Sequence, residues 1–237
     1  MYINKAIIAD IKIEFQSNYG NVRAICRPFA DEFEKPDIVI KTEKEEAEEL
    51  HRENPIEGCY DGYYEGTVAF RKLSEKLEKF DAFVFHGASF AVDDKGIIFC
   101  ALSGTGKTTH MMLWQKLLGD KMTVVNGDKP IIRFINGEPY IYGTPWNGKE
   151  HLGYNGKARL NHICFIERSI TNEVIPLDES EISKRLSTQM VQPTTPIGVL
   201  KNLEFIDELK KKCKMWLIRC NMDPEAASVS YNTIFKE

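Results

Sequence analysis

The stretch Ile97-Ile98-Phe99-Cys100-Ala101-Leu102-Ser103-Gly104-Thr105-Gly106-Lys107-Thr108-Thr109 constrains the fold of this chain more than any other. An apolar run of strand type enters a glycine-containing turn, and a helical pattern, His110 to Leu118, follows directly. The segment reads as a phosphate-binding loop, Gly/Ala-x-x-x-x-Gly-Lys-Ser/Thr, with Ala101 at the first position. Gly104 and Gly106 allow a tight turn in which successive N–H groups face one anion. Lys107 adds a point charge for β- and γ-phosphates, and Thr108 offers a hydroxyl to Mg²⁺. The helix that follows points its positive end at the same place. Ser103, Gly104, Thr105, Gly106, Lys107, Thr108 and Thr109 are therefore the candidate contacts for ATP or another nucleoside triphosphate. An ordinary glycine loop is the alternative, and the order of strand, loop and helix argues against it.

A chain of 237 residues suits one large domain or two small ones. The net charge of −4 argues against a nucleic-acid surface, which would gather basic residues. No run approaches the length of a membrane span, and no secretory leader pattern follows Met1. Six cysteines without Cys-x-x-Cys spacing read as buried free thiols of a reducing compartment. A cytoplasmic protein is expected.

Neither a linker nor a repeat divides the chain. We expect a single domain over 1–237, with a strand and helix subregion at 1–80 and a nucleotide-binding core at 81–237. Residues 2–15 alternate as strands do, Val22 to Cys26 reads as another strand, and Asp37 to Lys41 as a further one. Thr42 and Glu45 have capping-box spacing ahead of an acidic helix. Glu57 to Gly66 reads as a loop, and Thr67 to Phe80 has helical spacing. Ala82 to Phe85 is an apolar strand ending at His86-Gly87. Phe90 to Val92 and Ile97 to Leu102 form a hairpin that delivers the loop. Met122 to Val125 is a buried strand, and Ile131 to Ile135 joins Tyr140 to Tyr142 through Asn136-Gly137, a primed-turn signal. His162 to Ile166 and Trp216 to Cys220 are strands. Helices are expected at 178–191, at 198–212 and after Asp223-Pro224. The fold class is α/β (α+β), a mixed, partly antiparallel sheet with flanking helices.

A phosphate loop needs a carboxylate for Mg²⁺ at the end of a neighbouring strand. Asp128, just past Val124-Val125, is the candidate, so Thr108 and Asp128 form the expected metal set. His86 is a candidate catalytic group with Lys107 and Asp128, if its strand ends near the loop. In the glycine-rich segment 143–150, Lys149 could neutralise phosphate charge and Trp146 could stack on a base. An indole anchoring that loop is the competing reading. Arg133 is a further candidate phosphate or acceptor contact. His51, His110, His151 and His162 have weaker contexts.

From Phe80 to His110, the His86-Gly87 step, the hairpin and the loop resemble P-loop kinases of the HPr kinase/phosphorylase and phosphoenolpyruvate carboxykinase superfamily. Leu102 to Thr109 is similar to the loop of ATP-dependent carboxykinases. The pattern through Gly143-Thr144-Pro145-Trp146 resembles small HPr-kinase-related bacterial proteins. The resemblance implies a carboxykinase-like kinase core and a phosphotransferase using ATP and Mg²⁺. It implies an acceptor hydroxyl on a peptide, protein or small molecule, while the net charge and the lack of a long apolar run argue against nucleic acid and membrane as partners. It also implies a homo-oligomer, the related kinases being often oligomeric. Both families present two adjacent aspartates where this chain has Asp128 alone between Gly127 and Lys129. The alternatives are therefore a nucleotide-dependent regulatory module without transfer activity, or a carboxykinase-like enzyme.

Overall fold

The computed structural model of the chain describes residues 1–102 and 104–236. Its first unit is a small sheet with two helices against it. Strands β1 (Tyr2–Ile8) and β2 (Ile11–Ser17) form a hairpin whose two turn residues, Ala9 and Asp10, both have positive φ. Asn21–Cys26 is helix α1 rather than the expected strand. Val22 and Cys26, four apart, are its buried positions, which is a helical period. Strand β3 (Ile38–Lys41) runs parallel to β2. Helix α2 (Lys44–Glu53) starts with a capping box of Glu43 and Glu46, one residue beyond the Thr42–Glu45 pair. Thr42 is otherwise engaged: its hydroxyl donates to Glu65, a fully buried carboxylate that also accepts from the N–H groups of Asn18 and Tyr19. Helix α3 (Asp61–Leu77) begins inside the segment expected to be a loop. Gly66 lies within it because a side chain there would meet the Asn21 amide of α1 at 2.9 Å.

The remaining elements follow in chain order. They are β4 (Ala82–Val84), β5 (Ala88–Val92), β6 (Lys95–Cys100), α4 (Lys107–Leu118), β7 (Met122–Asn126), β8 (Ile131–Ile135), β9 (Glu138–Tyr142) and β10 (Lys157–Arg168). Then come β11 (Glu173–Pro176), α5 (Glu179–Gln189), α6 (Pro196–Lys212), β12 (Lys214–Cys220) and α7 (Glu225–Lys236). Strands β4 to β12 build a nine-stranded sheet among the described residues. Its centre is parallel, with β6 and β12 on either side of β10, and antiparallel strands flank it. This is the mixed α/β architecture expected. The Asn136-Gly137 turn has positive φ at both residues, as a primed hairpin requires.

Period-2 alternation on β6 explains the layers. Ile98 and Cys100 pack with Ile163, Phe165 and Leu217 against α5 and α6, whereas Ile97 and Phe99 pack with Cys164, Ile166 and Trp114 under α4 and α7. A strand covered on both faces must be apolar throughout, which is the Ile97 to Cys100 run. The two sheets share a core: Ala82, Val84, Ile131 and Tyr142 join the cluster of β1–β3 and α3. Across this seam the Tyr142 hydroxyl and the Lys157 ammonium both donate to Asp10, each at 2.7 Å. Five of the six cysteines are buried and all are free thiols. Among the described residues no helix is long and apolar enough to cross a membrane.

Trp114 carries the attachment of α4. It is fully buried, its indole N–H donates to Ser230 of α7 at 2.8 Å, and its ring meets Phe90 and Phe99. Trp114→Ala is expected to lower unfolding stability by about 3–5 kcal/mol, measured by urea titration. A loss under about 1 kcal/mol would contradict this packing role.

Candidate functional site

The loop that leaves β6 turns where its glycines are. Gly104 has φ +76 and Gly106 φ +120, and an added Cβ at either would meet nothing, so the backbone conformation alone requires glycine. The Thr105 N–H donates to the Leu102 carbonyl at 3.1 Å, which closes the turn. Gly106 then caps α4, and its carbonyl accepts from His110 N–H. Thr108 and Thr109 lie in the first turn of that helix. Ser103 lies outside the described residues.

Lys107 folds back over the loop. Its ammonium donates to the Ala101 carbonyl at 3.0 Å and lies 3.4 Å from His86 Nε2. The same nitrogen is 3.4 Å from Asp128 Oδ1. Lys107, His86 and Asp128, three groups from distant parts of the chain, therefore meet at the mouth of the loop. Backbone pairing explains the meeting. Strand β4 pairs with β8, and two hydrogen bonds extend that ladder: Phe85 N–H to the Pro130 carbonyl and Gly87 N–H to the Asp128 carbonyl, both 2.9 Å. Gly87 is required by space, since a Cβ there would lie 2.8 Å from Ile98 and 2.9 Å from the Phe99 carbonyl.

Asp128 is held by Asn126, which is fully buried. The Asn126 carboxamide oxygen accepts from the N–H groups of Asp128 (2.9 Å) and Lys129 (2.7 Å), while its nitrogen donates to the carbonyl and hydroxyl of Thr144. The carboxylate of Asp128 faces His86 on one side and Lys129, at 3.2 Å, on the other. The His86 imidazole first, then the Lys129 ammonium, hold its carboxyl down to about 2, against partial burial. Burial pulls the Lys107 ammonium below the usual lysine range, with Cys100 and Asp128 opposing. Partial desolvation of the Lys107 cation at the start of α4, where the helix end is positive, favours a bound anion.

Two expected contacts are placed elsewhere. Trp146 does not stand over the loop: its indole N–H donates to the Gly66 carbonyl of α3 at 3.1 Å, and its ring packs against Phe70 and Phe15. It anchors the 143–148 segment on the first core, because an indole lowers its free energy most where both its ring and its N–H find partners. Arg133 is also committed, donating to the carbonyls of Phe80 and Ala9 with its guanidinium over the Phe80 ring. Lys149 is exposed on the turn after Gly148, and that glycine abuts Asp128, where an added Cβ would be 3.1 Å from the Asp128 Cβ. Of the histidines in weaker contexts, His110 and His162 are buried and hydrogen-bonded, to Ser230 and Trp216, and burial pushes both down to about 4.

Four residues join the site without a signal in the sequence. Asn126 holds the Asp128 turn, Lys129 pairs with the carboxylate, and the Gln189 carbonyl accepts from His86 N–H at 2.7 Å. Arg168, at the end of β10, donates to the carbonyls of Gly104 and Thr105 and so steadies the loop. A cleft of about 760 Å³ opens between the loop, the end of β10 and the end of α5, with Leu102, Phe165, Arg168 and Gln189 among its walls. Among the described residues no three His, Cys, Asp or Glu side chains gather as a metal cage. One carboxylate and a helix-terminal threonine nevertheless suit Mg²⁺, which takes one or two protein oxygens and completes its shell with phosphate and water.

No protein-family model matches the chain, and no curated protein matches it. Among solved structures it is similar to the Hpr(Ser) kinase/phosphatase from Coxiella burnetii, with a TM-score of 0.38 and 11% identity. That similarity covers 65% of this chain and 91% of the other.

The His86–Asp128 contact has a measurable sign. A carboxylate whose folded pKa lies below its unfolded value stabilises the fold above the unfolded pKa, and this is lost as pH falls through the folded one. For Asp128 that window runs from its ordinary 3.8 down to about 2. His86→Ala removes the largest cause, so the Asp128 carboxyl should titrate at higher pH by carbon-13 NMR. Acid unfolding should begin at correspondingly higher pH. An unchanged titration would mean that the pair does not interact.

Proposed function

We propose that the chain is an ATP- and Mg²⁺-dependent kinase that transfers the γ-phosphoryl group to a hydroxyl acceptor. One observation carries the reading: Lys107, His86 and Asp128 converge at the mouth of a loop with phosphate-binding form. The loop N–H groups and the α4 N-terminus take the phosphates, and Lys107 turns from the Ala101 carbonyl to the terminal ones. Asp128 and Thr108 would hold Mg²⁺, which would supply neutralisation of phosphate charge. In this reading His86 takes the acceptor proton late in the reaction, the reading being supported by the 3.4 Å between its Nε2 and both Lys107 and Asp128. Catalysis of this kind rests on positioning and charge rather than covalent chemistry, so it suits a site of few groups held by backbone bonds.

A second reading is a nucleotide-dependent regulatory module. It draws on Lys129, whose ammonium already occupies one side of the only carboxylate in the trio. The two readings part on turnover.

Lys107→Ala is expected to weaken MgATP binding at least about tenfold by calorimetry, with the fold retained. Wild-type affinity in the folded variant would refute the phosphate site. With γ-labelled ATP and a panel of hydroxyl acceptors, Asp128→Asn should abolish transfer. His86→Ala should lower it by about 10²- to 10⁴-fold and leave a measurable residue. Nucleotide binding without transfer to any acceptor would favour the regulatory module.

A further inference from the structure

A groove lies away from the phosphate loop, between the outer edge of β1 and helix α1. It measures about 990 Å³, and its walls include Ile3, Asn4, Lys5, Arg23, Arg27 and Asp31. Three observations there are independent of the kinase reading.

The first is an open strand edge. β1 pairs with β2 along its whole length, and its other edge is used only near Ala6, where it bridges to Ala30, and at Lys5, whose carbonyl accepts from Asp31 N–H. Groups two residues apart on a strand face the same edge, so the Ile3 N–H and C=O point outward with those of Lys5. Neither Ile3 group has a partner among the described residues. The second is charge. Arg23 on α1 and Arg27 in the 3-10 turn that follows it are both exposed and have no carboxylate within salt-bridge distance among the described residues. The two carboxylates of the groove, Asp31 and Glu32, lie together at its far end, where Asp31 accepts from Glu32 N–H and Glu32 is 3.9 Å from Lys5. The third is an unmet acceptor: the carboxamide oxygen of Asn4 is buried without a partner.

We infer that this groove takes an extended acidic peptide, which adds to the edge of β1 at Ile3 and sets its carboxylates against Arg23 and Arg27. The peptide continues the line already begun by Ala30 and Asp31 against β1, so it runs antiparallel to the strand. Main-chain hydrogen bonds supply the docking, and the guanidinium pair supplies the preference for acidic side chains. Tyr2 and Ile3, 40% and 55% exposed, add apolar contact at the same edge.

The probe is a fluorescein-labelled peptide of alternating valine and glutamate, about six residues long, compared with the valine–lysine peptide of equal length. Fluorescence polarisation should show binding of the glutamate peptide to the full chain. Amide exchange should slow at Ile3 and Lys5. The double change Arg23→Glu with Arg27→Glu should weaken this peptide at least about tenfold and turn the preference toward lysine. Ile3→Pro removes only the outward N–H, so it should weaken binding while the melting temperature holds. Equal affinity for both peptides, wild-type affinity in folded Ile3→Pro, or protection at the phosphate loop in place of β1 would each overturn the assignment. An absence of binding by the glutamate peptide would do the same. Because Lys107→Ala leaves the β1 groove intact, it should bind the peptide normally even if the kinase reading fails.

Discussion

The burial of β6 on both faces is the constraint on which the rest of the molecule turns. A strand with Ile98 and Cys100 on one side and Ile97 and Phe99 on the other must be covered by helices above and below. Its carboxyl end then emerges in a sheltered place at the surface, flanked by the ends of its neighbours. The turn there needs the positive φ of Gly104 and Gly106, and it feeds α4, which Trp114 ties to the sheet and to α7. The half-buried Lys107 follows from the same geometry. Its ammonium has lost part of its water and has gained only a carbonyl at 3.0 Å and an imidazole at 3.4 Å. A cation in that condition is stabilised by an arriving anion more than a solvated lysine would be.

The charged trio is assembled by groups that carry no charge. Backbone hydrogen bonds from Phe85 and Gly87 set the His86 segment beside Pro130 and Asp128, and the Asn126 carboxamide ties the Asp128 turn to Thr144. Close approach excludes side chains at several points along this seam. Gly127 faces the Asn147 carbonyl, where a Cβ would be 2.8 Å away, and Gly87 faces β6. Each of these contacts is short-range and directional, so the positions of three ionisable groups rest on hydrogen bonds that do not titrate near neutrality.

Much of this was legible in the residue pattern, and the boundary is instructive. Local signals held where the chemistry is local: the Asn136-Gly137 hairpin, the Asp223-Pro224 helix start and the loop between β6 and α4. They failed at Val22 to Cys26, where apolar spacing of four competes with β-branched composition and packing on β1 decides for helix. They failed again at Glu57 to Gly66, because glycines that suggest a loop serve close helix packing instead. Asp128 and His86 were identifiable as chemical types, but their meeting depends on the pairing of β4 with β8, about fifty residues on, which no local pattern specifies. Trp146 and Arg133 misled for a related reason. An indole and a guanidinium suit a phosphate site and suit a seam between two sheets equally well, and only the fold says which partners are near. Arg168 and Gln189 act largely through backbone carbonyls, so nothing in their sequence surroundings marks them.

The sharing of one nitrogen gives the trio its character. His86 Nε2 is 3.4 Å from both Lys107 Nζ and Asp128 Oδ1, and it cannot satisfy both in the same protonation state. In the tautomer with Nε2–H the nitrogen donates toward Asp128; in the other tautomer it accepts from Lys107 and leaves Asp128 to Lys129. An anion that draws Lys107 toward itself removes the second arrangement and leaves the imidazole facing the carboxylate. Through this one nitrogen the loop lysine and the Asp128 carboxylate are linked, so a displacement of Lys107 changes what His86 faces and, through it, the partners left to Asp128.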